Sequence, residues 1–243
     1  MSNGTVVITG ASSGIGLALA EAYVGEGFNV VGNARTVERL RDAERSLNAS
    51  ENFAVVEGDI GDPATARSLF ATAVERFGHV DVLVNNAGIF RAKPFTDYSP
   101  TDLAELVSTN LNGFFHATQE AIRHMIPRKR GHIISITASI ASQPLHNVPA
   151  ALPILIKGGI NHATKALALE LAPHNIKVSA VAPGIVDTPM YRADMRDFLN
   201  TLQPAGRIGT VREIADAVLY LTRADFTTGV VLPVDGGMAA GRF

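Results

Sequence analysis

The chain of 243 residues contains no cysteine, which excludes a disulfide framework, a zinc site with cysteine ligands and a thiol nucleophile. It has no apolar run of membrane-spanning length, and its N-terminus lacks the charged and apolar segments of a secretory signal. The formal net charge is -2, without a long basic block, so nothing indicates a nucleic-acid partner. We therefore expect a cytoplasmic protein with no metal site, no membrane contact and no nucleic-acid partner.

Hydrophobic residues make up 47% and charged residues 18% of the chain, a composition typical of a compact protein with a large core. Short apolar runs alternate with longer helical stretches. The runs predicted to be strands are 5–9, 29–34, 53–58, 80–85, 132–137, 176–182 and 230–234. The stretches predicted to be helices are 15–27, 37–47, 63–77, 101–125, 160–172 and 212–223. This alternation predicts an α/β fold with a doubly wound parallel sheet covered by helices on both faces. No linker or repeat divides the chain, so residues 1–243 are predicted to form one domain.

A glycine-rich turn, "TGASSGIG", joins the first predicted strand to the first helix, with glycines at 10, 14 and 16. Such a turn lets the backbone approach a pyrophosphate, and the helix N-terminus supplies N–H groups to the phosphates. The glycine spacing differs from G-x-G-x-x-G, and a tight structural connection is the alternative. The predicted phosphate-binding residues of this turn are Gly10, Ser12, Ser13, Gly14, Ile15 and Gly16.

The second predicted strand ends in Asn33-Ala34-Arg35. An acidic residue here would bind the 2′-hydroxyl of the adenine ribose, whereas an arginine suits a 2′-phosphate. Arg35 therefore favours NADP(H) over NAD(H), unless it is an ordinary surface arginine. Asp59 and Ile60, after the third strand, are predicted to contact the adenine or else to form a turn.

Polar residues also mark the middle of the chain. "NNAG" (85–88) follows the fourth strand, at the sheet edge where ligands bind in such folds. Asn110 lies inside a predicted helix although asparagine is a poor helix former, which hints at a functional role.

With these segments in place, the chain resembles the short-chain dehydrogenase/reductase family over nearly its whole length. The matching pieces are "TGASSGIG", "GDI", "NNAG", Asn110 in "TNLNG", Ser139 in "ITASIAS", Lys157 in "KGG", "PGIVDT" (183–188) and "VDGG" (234–237). The resemblance implies a Rossmann-type domain with a seven-stranded parallel sheet, assembled as a homotetramer or homodimer and acting on a carbonyl or alcohol substrate.

The resemblance also implies roles for individual residues. Ser139 would bind the substrate oxygen, Lys157 the nicotinamide ribose, and Asn110 a water of the proton relay. The remaining residues implied to line the cofactor site are Asn86, Ala87, Gly88, Pro183, Gly184, Val186 and Thr188.

The family's acid/base is a tyrosine four residues before the lysine, one helical turn away on the same face. The ammonium would lower the pKa of that phenol toward the working range. Here the position holds Pro153, and no tyrosine lies between Tyr98 and Tyr191. Proline cannot donate a proton and is best tolerated in a first helical turn, so we expect the helix to begin around Pro153.

Three replacement donors are conceivable: His146, Tyr191, or a water between Lys157 and Asn110. The sequence thus supports two functions. The first is an NADP(H)-dependent oxidoreductase with an altered active site. The alternative is a non-catalytic NADP(H)-binding protein, such as a sensor or partner subunit.

Overall fold

A computed structural model describes residues 4–46 and 51–241. The strands are β1 (Thr5–Thr9), β2 (Asn29–Ala34), β3 (Phe53–Glu57), β4 (Val82–Asn85), β5 (Gly131–Ile136), β6 (Ile176–Pro183) and β7 (Val231–Val234). The α-helices are α1 (Gly14–Gly25), α2 (Val37–Ser46), α3 (Pro63–Phe77), α4 (Pro100–Leu106), α5 (Gly113–Arg128), α6 (Ala151–Leu171), α7 (Arg196–Thr201) and α8 (Val211–Arg223). The predicted end of the second helix, Leu47, and the chain ends 1–3 and 242–243 lie outside the described residues.

The seven strands form one parallel sheet in the order β3-β2-β1-β4-β5-β6-β7. Two apolar clusters cover its faces; one centres on Ile8 and Ile134, the other on Val7 and Ile133. Successive residues of one strand thus enter different cores, which explains strands that are apolar on both faces. The predicted doubly wound α/β fold is confirmed. Because the order reverses between β1 and β4, a crevice opens at the carboxyl ends of these strands. Within the described ranges no helix is long and apolar enough to cross a membrane.

The predicted helix 101–125 is wrong as a single regular helix. It consists of α4, a π-helical segment Val107–Asn112 and α5. Ser99 caps α4 by accepting a hydrogen bond from the backbone N–H of Asp102, whose carboxylate accepts from Ser99 N–H in return. The π segment holds Asn110, the residue whose low helix propensity stood out in the sequence. π segments often coincide with functional sites.

Helix α6 begins at Ala151, so Pro153 lies in its first turn and Lys157 in its second. A proline in the first turn costs no helical hydrogen bond, because the N–H that proline lacks would have no carbonyl partner within the helix. The predicted start near Pro153 is therefore confirmed to within a turn. Helix α6 is longer than the predicted stretch 160–172, because it includes the residues from Ala151 onward. The short helix α7 was missed, because six residues carry too little periodicity to indicate a helix.

His132 is a buried titratable residue of the sheet. It is 3% exposed on β5, and its Nε2 lies 3.2 Å from the hydroxyl of Ser179 on β6. Burial lowers the pKa of His132 to about 3. The unfolded chain binds a proton at this histidine below a pH of about 6.5, whereas the folded chain excludes it. Folding stability from this residue is therefore present at neutral pH and is lost as the pH falls from about 6.5 toward about 3.

We predict that the free energy of unfolding falls between pH 7 and pH 5 by about 2 kcal/mol on account of His132. The substitution His132→Gln should remove about that share of the pH dependence, whatever its effect at pH 7. Urea unfolding at the two pH values measures the difference. His162→Gln, at an exposed position of α6, is the matched control, and an equal effect of both substitutions would contradict the assignment.

Candidate active site

The turn between β1 and α1 is built on Gly10 and Gly16. Gly10 has φ +68°, and a Cβ on Gly16 would lie 2.0 Å from the carbonyl oxygen of Gly10. Larger residues would force the turn open. Helix α1 follows at once, its N-cap Ser13 makes no side-chain cap bond, and its first turn holds no acidic residue. No side chain therefore caps the first N–H groups of α1, and such groups are suited to bind an anion.

Thr9 and Asn86 lock this turn to the neighbouring strand β4. The Thr9 hydroxyl accepts hydrogen bonds from the backbone N–H groups of Asn86 and Ala87, both at 3.0 Å. The Asn86 amide donates back to the carbonyl oxygens of Thr9 and Gly10, at 2.9 and 3.1 Å. Asn86 therefore shapes the turn with its side chain. Thr9 is not among the predicted site residues, although a threonine that ends the first strand beside the glycines is a usable signal.

The segment after β6 closes over the same turn. A Cβ on Gly14 would lie 3.3 Å from the methyl group of Thr188, so Thr188 stands directly over the start of α1. Gly184 is equally confined, since its Cβ would lie 2.8 Å from the Cα of Asp235. Pro183 and Val186 are buried, so their side chains are packed within the protein. The structure thus brings residues 183–188 together with the glycine turn, residues 10–16. We call the space between these two segments the cradle.

At the end of β2, Ala34 is buried and Arg35 is exposed. Arg35 forms no ion pair with any residue in the described part of the chain. Asn33 is not available to a ligand, because its amide donates to the carbonyl oxygens of Val56 and Gly58, at 3.1 and 3.0 Å. The end of β2 therefore offers an exposed arginine that no described residue engages in an ion pair.

Asp59 and Ile60 form a turn in the structure. The Asp59 carboxylate accepts a hydrogen bond from Gly61 N–H at 2.8 Å, and the side chain is exposed. Ile60 is 4% exposed and packs against Gly113. Of these two side chains, Asp59 is exposed and Ile60 belongs to the core.

Lys157 projects from α6 to the crevice. Its ammonium donates a hydrogen bond to the carbonyl oxygen of Ile136 at 2.8 Å, at the end of β5. Gly88 faces it, since a Cβ there would lie 3.3 Å from Lys157 Nζ and 2.8 Å from Asn110 Oδ1. Burial lowers the pKa of Lys157 to about 8. The lysine and asparagine predicted to act together thus meet at Gly88.

The Asn110 side chain is hydrogen-bonded to the loop after β4. It accepts a hydrogen bond from Ile89 N–H at 3.0 Å and donates one to the Ile89 carbonyl oxygen at 3.0 Å. This pairing is what the π segment positions. Asn110 therefore fixes the backbone beside Lys157.

Ser139 lies just past β5, in a short 3-10 turn, Ser139–Ala141. Its side chain is 0% exposed, and its hydroxyl has no hydrogen-bond partner. The neighbouring Ala138 is partly exposed and packs in an apolar cluster with Phe90 and Ile154. A hydroxyl that binds a substrate must be reachable from the cleft. In this conformation the residue at the cleft wall is Ala138, and Ser139 is sealed behind it.

No tyrosine in the described residues contacts Lys157. Tyr23 bonds to Thr222 in the core, and Tyr98 donates to the Arg91 carbonyl oxygen. Tyr191 packs in an apolar cluster formed by Ile185, Leu199 and Leu202, and burial raises its pKa. The remaining tyrosine, at position 220, is 58% exposed on α8.

His146, the histidine considered as a replacement donor, is exposed in the loop before α6. The structure gives no contact between His146 and Lys157. The ammonium of Lys157 is thus the dissociable group that the structure places at the crevice.

The fold and site define a dinucleotide-binding α/β protein, and comparisons with known proteins agree. A family model described as enoyl-(acyl carrier protein) reductase matches residues 10–239. The chain is 35% identical over 237 residues to the 3-oxoacyl-[acyl-carrier-protein] reductase FabG of Salmonella typhimurium, covering 96% of each protein. It is also 35% identical over 247 residues to gluconate 5-dehydrogenase of Gluconobacter oxydans, covering 98% of this chain and 95% of the relative.

Solved structures extend the likeness to three dimensions. A 3-ketoacyl-(acyl-carrier-protein) reductase from Brucella melitensis complexed with NADH has a TM-score of 0.92 and 30% identity, covering 98% of this chain and 99% of that one. ElxO with NADP bound also has a TM-score of 0.92, at 28% identity, covering 99% of this chain and 100% of that one. The chain belongs to the short-chain dehydrogenase/reductase family, whose curated relatives named here are oxidoreductases.

We predict that Thr9→Val destabilises the fold, because it leaves two N–H groups of the crevice without their acceptor. The expected loss is about 1–3 kcal/mol in the free energy of unfolding, measured by urea denaturation, together with weaker nucleotide binding. Thr101→Val, at an exposed position of α4, controls for the loss of a hydroxyl. Unchanged stability of Thr9→Val would show that the lock is dispensable.

Proposed function

We propose that this protein is an NADP(H)-dependent oxidoreductase acting on a carbonyl/alcohol substrate, with Lys157 in place of a tyrosine as the nearest proton source. The observation that carries the proposal is the position of Lys157 Nζ beside Gly88 and Asn110 at the crevice. Lys157 donates to the Ile136 carbonyl oxygen and faces Gly88, which has no side chain. The space left beside Gly88 suits a ligand that contacts the ammonium.

The cradle fits a dinucleotide. The glycine turn and the start of α1 would hold the pyrophosphate, Thr188 would close over it, and Lys157 would bind the nicotinamide ribose. Bound NADPH supplies a hydride to the carbonyl carbon of the substrate. Arg35 is exposed and forms no ion pair with a described residue, and it would pair with the 2′-phosphate that distinguishes NADP(H) from NAD(H).

The proton would come from the Lys157 ammonium, directly or through a water. With a pKa lowered to about 8, Lys157 is largely protonated at neutral pH and gives up its proton more readily than an exposed lysine. Reduction would then weaken as the pH rises above about 8. Ser139 would bind the substrate oxygen only after its 3-10 turn opens, since its hydroxyl is sealed in this conformation.

The cleft wall suggests an uncharged substrate. Ile154 lies one helical turn before Lys157 on α6 and packs in a cluster without charged members. The members of that cluster are Phe90, Ala138, Ile140, Leu145, Val148, Ala150, Ile154 and Met238. A carbonyl carried on an apolar body would suit this wall.

The alternative is a non-catalytic NADP(H)-binding protein. Two observations favour it: Pro153 offers no proton, and the Ser139 hydroxyl does not reach the cleft. Nucleotide binding would need the glycine turn, Arg35 and Lys157, all of which are present. The two functions differ in turnover, not in cofactor affinity.

We also propose that the chain assembles as a homodimer or homotetramer. Large apolar side chains stand exposed on the π segment, on α5 and on α6: Leu111 at 42%, Phe115 at 53% and Leu155 at 68%. A second copy of the chain would cover them.

We predict that Arg35→Gln weakens NADPH binding about tenfold, because a charge-assisted bond to the 2′-phosphate is lost. NADH affinity should change by less than about twofold, since NADH lacks that phosphate. Fluorescence titration of both nucleotides measures the effect, with Arg123→Gln on α5 as the control. Equal weakening of both nucleotides, or none, would remove the NADP(H) assignment.

We predict that Pro153→Tyr raises kcat/KM for some carbonyl substrate at least about tenfold, because it restores a phenol one turn before Lys157. A panel of ketones and quinones, assayed with NADPH, tests both proteins. Pro149→Tyr, just outside α6, is the matched control. Lys157→Met should abolish the gain.

The outcome decides between the two functions. A wild-type protein with measurable turnover that rises in Pro153→Tyr supports the oxidoreductase. A folded, NADPH-binding Pro153→Tyr variant without turnover would favour the non-catalytic alternative.

A further inference from the structure

Lys157 is an amine at the crevice that has no acidic partner. Its ammonium donates to the Ile136 carbonyl oxygen, and among the described residues no carboxylate forms an ion pair with it. The neighbouring positions carry no competing nucleophile or acid, since Pro153 lies one turn before the lysine and Ala138 lies at the cleft wall. A carbonyl compound that enters the crevice therefore meets an amine.

The charge state of this amine favours reaction with a carbonyl. Burial lowers the pKa of Lys157 from its usual 10.5 to about 8. At pH 7 about one molecule in ten then carries the neutral amine, against about one in three thousand at the usual pKa. The neutral form has the lone pair that attacks a carbonyl carbon. Lys157 is thus suited to act as a nucleophile at neutral pH.

The hydrogen bond to Ile136 also orients the nitrogen. One N–H points at the Ile136 carbonyl oxygen, 2.8 Å away, so the lone pair of the neutral amine points elsewhere. A Cβ on Gly88 would lie 3.3 Å from Nζ, and a glycine leaves that space open. Gly88 is also partly exposed. A path to the nitrogen therefore runs past Gly88.

We propose that Lys157 forms an iminium adduct with aldehydes that carry an apolar body. The Nζ lone pair attacks the carbonyl carbon, a C–N bond forms, and the carbonyl oxygen takes a proton from the nitrogen. The C–O bond then breaks with a proton from solvent, so that the oxygen leaves as water and a C=N bond remains. Counted from the ammonium, the step releases one water and needs neither an oxidant nor a reductant.

The surroundings of Lys157 fit this adduct. The iminium nitrogen keeps one N–H, which can retain the bond to the Ile136 carbonyl oxygen. The apolar body would pack on the wall formed by Phe90, Ala138 and Ile154, where few water molecules could hydrolyse the C=N bond. This inference goes beyond the proposed function, because it requires neither a hydride nor turnover.

The experiment traps the adduct in the wild-type protein. Benzaldehyde is the probe, sodium cyanoborohydride reduces the iminium to a stable benzylamine, and mass spectrometry of peptides locates the label. Lys165, exposed on the same helix, is the internal comparison and requires no variant. At pH 7 Lys157 should be labelled at least about tenfold faster than Lys165, because its neutral form is more abundant. In Lys157→Met the label at Lys165 should remain.

Labelling of Lys157 no faster than that of Lys165 would overturn the proposal. Glyoxylate, an aldehyde with a charge and no apolar body, should show a smaller preference for Lys157, and an equal preference would contradict the specificity for apolar aldehydes. Saturating NADPH should protect Lys157 and leave Lys165 reactive. Selective labelling that NADPH does not suppress would support the adduct and count against the proposed function alone.

Discussion

The hydrogen bonds between Thr9 and the Asn86–Ala87 backbone join the two strands at which the order of the sheet reverses. A parallel sheet leaves a crevice at that reversal, and the two chain segments that leave it diverge in opposite directions. Here a threonine hydroxyl and an asparagine amide tie them together. The glycine turn, the start of α1 and the loop that carries Gly88 all take their positions from this lock. Lys157 and Asn110 then meet the loop from the other side.

In the proposed function, holding a nucleotide and delivering a proton fall to different parts of the structure. The first would depend on backbone geometry around the glycine turn and on Arg35. The second would depend on one face of α6, where Pro153 stands one turn before Lys157. Because proline fits a first helical turn, the helix keeps its place and presents the lysine unchanged. Proton chemistry can therefore be altered here without disturbing the nucleotide cradle.

The sheet was predictable because parallel strands covered on both faces are apolar throughout, and the helices between them are long. Features that depend on contacts distant in sequence were not. The place of Thr9 beside the glycines is a signal for the residue, but not for its partners, residues 86 and 87, which are distant in sequence. The π segment was not predictable from sequence, because the pattern of its residues fits a regular α-helix equally well.

The side-chain directions at the end of β5 also lay beyond the sequence. Ser139 matches a family motif, yet the chain turns immediately after the strand, and the structure leaves Ala138 at the cleft wall. A shift of one residue at a strand end reverses which side chain faces the ligand. Motif matching finds the segment in such places, whereas the direction of each side chain requires the backbone path.

The π segment has a consequence for how the chain tolerates insertions and deletions. A residue advances an α-helix by about 100°, and the π segment accommodates one residue more than a regular helix of the same rise. Deleting a residue between 107 and 112 would relax the segment into an α-helix. It would also rotate α4 against α5 and withdraw Asn110 from Ile89. The hydrogen bonds between Asn110 and Ile89 thus fix the number of residues in the π segment. The segment should tolerate substitutions more easily than insertions or deletions.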